Sequence, residues 1–70
     1  MSQKERALEL VKQARDEWCA GDMQSAWETL DAAAQALCAG GHTPESMPGI
    51  FGYITFLQDS LRRLIDEAAS

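Results

Sequence analysis

Seventy residues with eleven acidic and six basic side chains, a net charge of −5, leave room for one small domain over 1–70 and disfavour direct binding to DNA or RNA phosphates. A hydrophobic fraction of 46% beside 24% charged residues excludes a disordered or collagen-like chain. So short a chain buries only about 60% of its unfolded surface, the low end for a lone domain, and a staple, a metal or a partner is expected to make up the difference.

From about residue 3 to 20, Ala7, Leu8, Leu10, Val11, Ala14 and Trp18 recur at helical spacing on one side. Arg6, Glu9, Lys12, Gln13, Asp16 and Glu17 fall on the other, so the segment reads as an amphipathic first helix. Gly21 followed by Asp22 supplies a stop and then an N-cap, which predicts a tight reversal and a second helix over about 22–39. In that helix Met23, Ala26, Leu30, Ala33 and Leu37 alternate steps of three and four, the pattern of a seam for another helix.

Gly40 and Gly41 close the second helix, and both prolines lie in the stretch that follows. The segment 40–47 is therefore a connector, with room for one turn at Thr43-Pro44-Glu45. Pro48 suits the first position of a third helix over about 48–69, whose seam is Ile50, Ile54, Leu57, Leu61, Leu64 and Ala68. The expected fold is all-α: a three-helix bundle built on an antiparallel helical hairpin, the third helix packing through Ile54, Leu57, Leu61 and Leu64.

The first half of the third helix is apolar nearly all round, because Phe51, Tyr53 and Phe56 lie outside its seam. Either the neighbouring alanine-rich helices wrap it broadly, or part of this aromatic collar meets a second copy or another protein. The thin margin of so small a fold favours the second explanation, most simply a two-fold homodimer. Trp18 and Trp27 lie on core-facing helical positions; Trp27 would join Phe51, Tyr53 and Phe56 in a contact surface if exposed.

The chemistry-bearing residues are few. An antiparallel hairpin places Cys19 beside the turn and Cys38 at the far end of the second helix, about 24 Å away at 1.5 Å per residue, so a bond between them within one chain is out of reach. Both are expected as reduced thiols, packed or partly packed, in the cytoplasm. His42 is the only histidine and no ligand set surrounds either cysteine, so neither a metal site nor a cofactor is expected. Cys19 and His42 are separated by the same helix, Ser25, Ser46 and Ser60 have no nucleophile setting, and no glycine-rich phosphate loop follows a strand; an enzyme is not expected.

Residues 22–38 contain no Lys or Arg, which rules out a DNA-reading second helix. Arg62 and Arg63 near the end of the third helix complement its dipole. No run is long enough for a membrane span, and residues 1–6 lack the apolar stretch of a secretion signal.

Leu10, Ala14, Gly21, Ala26, Leu30 and Ala33 stand at the relative spacings of the tetratricopeptide helix-pair signature, so residues 7–40 resemble that pair. Gln13 and Glu17 depart from it where the repeat places apolar residues, Cys38 stands where a proline is common, and one copy is present. The resemblance implies a helical hairpin and protein binding, with a third helix covering a face that repeats normally cover for one another.

The function expected from these readings is a small non-enzymatic interaction module or regulator, adaptor or inhibitor in type, that docks its apolar-aromatic surface on a partner protein. The alternative is a phage- or mobile-element-type inhibitor that blocks a basic nucleic-acid-binding site with an anionic surface of Asp16, Glu17, Asp22, Glu28, Asp31 and Glu45.

Overall fold

Each helix begins and ends where a local hydrogen-bonding device permits it. The computed structural model describes residues 2–69 and consists of α1 (Gln3–Cys19), α2 (Met23–Ala39) and α3 (Pro48–Ala69). These bounds lie within a residue of those read from the sequence.

Ser2 caps α1, its hydroxyl accepting from the Glu5 backbone N–H at 3.2 Å. At the other end Gly21 takes φ +88°, a backbone conformation that side chains other than glycine resist. Its N–H donates to the Trp18 carbonyl and the Asp22 N–H donates to the Glu17 carbonyl, both at 2.9 Å. This paired closure satisfies carbonyls that the end of a helix leaves without partners. Asp22 then serves the next helix, its carboxylate accepting from the Ser25 N–H at 3.2 Å. The chain leaves one helix and enters another with a single residue used for both purposes.

The end of α2 repeats the device: Gly41 stands at φ +84°, its N–H bonds to the Cys38 carbonyl, and the His42 N–H bonds to the Leu37 carbonyl, each at 3.0 Å. The single turn expected in the connector is present. The Thr43 N–H donates to Ser46 Oγ at 2.9 Å and the Ser46 N–H donates to Thr43 Oγ1 at 3.1 Å. Pro48 then opens α3 at its first position, where a missing N–H costs nothing.

The three helices form one core. Ala7, Val11 and Ala14 come from α1, Ala26, Leu30, Ala33 and Leu37 from α2, and Ile54, Leu57 and Leu61 from α3. Four of these ten are alanines, two on α1 and two on α2, spaced seven apart in each. Small side chains at that spacing let two helices approach closely. α2 packs closely against both α1 and α3, whereas the backbones of α1 and α3 stay farther from each other. The result is an elongated slab of 38 × 22 × 15 Å. Its radius of gyration, 12.1 Å, exceeds the value of about 11 Å expected for a compact chain of this length.

Two expectations are corrected. Leu64 is 37% exposed rather than in the core: from Leu61 the buried stripe steps four residues to the half-buried Ile65, not three to Leu64, as a 3.6-residue helix requires when its contact face stays straight. Leu8 also leaves the core side of α1 and stands 47% exposed, one position past the buried Ala7.

Candidate interaction surface

The residues singled out in the sequence separate into three groups. Phe51 and Trp27 are half-buried and packed against the core. Trp27 is held further by its backbone carbonyl, which accepts from Gln58 Nε2 at 3.3 Å. Of the four aromatic residues expected in a contact surface, Tyr53 and Phe56 are the two that stand exposed, at 43% and 65%. Trp18 is half-buried against the same core.

Tyr53 and Phe56 project from the part of α3 that has no charged residue before Asp59. A helix wet on that side would ordinarily carry polar residues there. Beside them a shallow cleft is lined by Pro44, Pro48, Phe51, Gly52, Thr55, Phe56 and Asp59, so the connector and the start of α3 build one side of the aromatic surface. Just beyond Asp59, the Ser60 hydroxyl donates back to the Phe56 carbonyl at 3.0 Å.

The six carboxylates of the alternative reading do different things. Asp22 caps α2, and Glu17 accepts from the Thr29 hydroxyl at 2.6 Å, tying α1 to α2. Glu28 accepts from Gln24 Nε2 at 3.4 Å and Asp31 from Gln35 Nε2 at 2.9 Å, which makes a polar ridge along the outer side of α2. Asp16 and Glu45 are exposed on α1 and the connector. The carboxylates are distributed over several elements, and two of them are occupied by cap and inter-helix hydrogen bonds.

Cys19 and Cys38 are free and exposed, not packed as expected from the sequence: Cys19 is the last residue of α1 and Cys38 the last but one of α2. Among the described residues no three His, Cys, Asp or Glu side chains are grouped to hold a metal ion, and no helix is long and apolar enough to cross a membrane. A second cleft, about 220 Å³, lies between α2 and α3 and is lined by Gln24, Trp27, Arg62, Ile65 and Asp66. It contains no nucleophile with a base beside it, the pairing that covalent chemistry needs.

The exposed Leu8 and Leu64 were missed as surface residues because periodicity alone assigned them to the core. The signal that places them outside is their offset by one from a continuously buried neighbour or stripe, visible only once the contact face is known. No protein-family model, curated protein or solved structure matches the chain.

Proposed function

We propose that this chain is a small non-enzymatic protein–protein interaction module, adaptor or inhibitor in type, that works by docking the apolar-aromatic face of α3 on another polypeptide. The observation that carries this reading is the pair Tyr53 and Phe56, 43% and 65% exposed on a half-helix without charge. Aromatic residues bury large areas with little loss of side-chain freedom, which makes them common anchors of protein interfaces. The non-enzymatic part rests on the separation of Cys19 from His42 and on clefts that lack a nucleophile–base pair. The free thiols favour a reducing, cytoplasmic setting.

The hairpin is read as antiparallel from two contacts. A side chain added at Gly40, the end of α2, would meet Gln3 at the start of α1, while Glu17 late in α1 reaches Thr29 early in α2.

A second copy of the chain is the simplest occupant of the Phe56 surface, since a two-fold dimer is the commonest closed symmetry. Phe56→Glu is expected to convert the dimer to a monomer in size-exclusion chromatography with light scattering. Equal masses for the two proteins would remove Phe56 from the interface. The anionic reading has less support, because Asp22 and Glu17 are engaged within the fold. Partner binding through that surface would weaken steeply from low to moderate salt, whereas docking through the aromatic face would hardly respond.

A further inference from the structure

The side of α3 that faces away from the core changes chemistry along its length. Gly49, Gly52, Phe56, Asp59 and Arg63 follow one another at steps of three and four, so they lie on one stripe of the helix. All five are exposed, and none belongs to the core or to the residues packed against it. Asp59 and Arg63 are what a face in water ordinarily carries, whereas the first half of the stripe is two glycines and a phenylalanine. Gly52 has no reason within the chain to be glycine. Its φ is not positive, a Cβ added there would meet no atom within 4 Å, and glycine in the interior of a helix is less favourable than alanine. With Pro44, Pro48, Phe51 and Thr55 it lines the shallow cleft beside Phe56, so a projecting ring and a hollow stand next to each other on one face.

This stripe is complementary to its own reverse. Glu45, exposed in the connector turn, stands four residues ahead of Gly49 and extends the spacing to Glu45, Gly49, Gly52, Phe56, Asp59 and Arg63. The intervals are the same in both directions, and their midpoint falls between Gly52 and Phe56. When two such helices lie antiparallel about that midpoint, each residue meets its mirror position in the other copy. Phe56 then meets Gly52, where the missing side chain leaves space for a ring. Asp59 meets Gly49 at the start of the other α3, the positive end of that helix, whose first turn has no acidic residue of its own. Arg63 comes to the connector that holds Glu45, and Arg62 and Arg63 are the only basic side chains after Arg15. In one register large faces small and each charge faces its opposite, which is what a two-fold contact between identical surfaces requires.

We infer that two copies of this chain pair through the outward faces of their α3 helices, antiparallel, with Phe56 of each copy seated on Gly52 of the other. A second copy is the occupant because the same register that brings a ring to the hollow also brings Arg63 to Glu45 and Asp59 to the start of α3. Gly52 and Thr55 let the two backbones approach, and Pro44, Pro48 and Phe51 flank the incoming ring. The inference rests on the docking reading above: it takes the second copy as the occupant of the Phe56 surface and specifies which residues meet across the two-fold axis.

Sedimentation equilibrium of the whole chain over a range of concentrations gives a dimer dissociation constant for each variant. Glu45→Arg sets arginine against Arg63 in both halves of the dimer and is expected to weaken it about tenfold. The same change lowers the net negative charge of the chain, so a dimer governed by overall repulsion would tighten instead. Arg63→Glu is expected to weaken the dimer by a similar factor, and the double variant Glu45→Arg, Arg63→Glu to return to within about threefold of the parent. Gly52→Leu is expected to abolish the dimer while its helicity by circular dichroism is no lower than the parent's, since the added side chain enters open space within its own chain. Single-variant effects that simply add in the double variant overturn the register, and so does a Gly52→Leu dimer as tight as the parent's. A parent that is monomeric at every concentration overturns the pairing and leaves the docking reading with a foreign polypeptide as occupant, whereas a dimer that survives Phe56→Glu removes both.

Discussion

Asp22 serves two helix ends at once. Its N–H completes the closure of α1 through the Glu17 carbonyl, and its carboxylate accepts from Ser25 to begin α2. Replacing it with alanine keeps the first bond and removes the second. Asp22→Ala is therefore expected to cost about 1 kcal/mol, measured as a lower urea midpoint with an unchanged slope; a loss below a few tenths would show that α2 needs no cap. Glu17, by contrast, was read as surface charge, and its bond to Thr29 was invisible in the sequence because the two residues are twelve apart and meet only after the reversal at Gly21.

At the scale of the elements, the helices themselves were legible because punctuation and periodicity agree: Gly21-Asp22, Gly40-Gly41 and Pro48 mark the same boundaries that the apolar steps imply. What the sequence could not supply was how wide a face each helix buries. Phe51 and Phe56 are both off the seam of α3, yet one packs against the core and the other stands in solvent; only the position of α2 decides between them. The alanines decide that position on the α1 side. Ala26 and Ala33 are fully buried between helices that Ala7 and Ala14 also allow to close up, so Ala33→Leu is expected to wedge them apart and destabilise by about 1–3 kcal/mol. A thermal midpoint equal to the parent's would mean that the contact has slack that the burial does not suggest.

For the molecule as a whole, the three helices share one core in an elongated body of 38 × 22 × 15 Å. The expectation of an all-α three-helix bundle agrees with the three helices, the packing of α2 against both others and the single core. The apolar side chains left in solvent, Tyr53 at 43% and Phe56 at 65% exposed, are the physical basis of the interaction reading.

The central position of α2 also orders how the fold comes apart. Since the α1 and α3 backbones each approach that of α2 more closely than they approach one another, α2 is expected to be the last helix to open. Hydrogen–deuterium exchange should then show three tiers, with the amides of α2 slowest and those of α3 opening in a separate event from those of α1. A single common exchange rate for all protected amides would show that the two outer helices leave together. In the tiered case α2 would be the spine that each outer helix joins and leaves on its own.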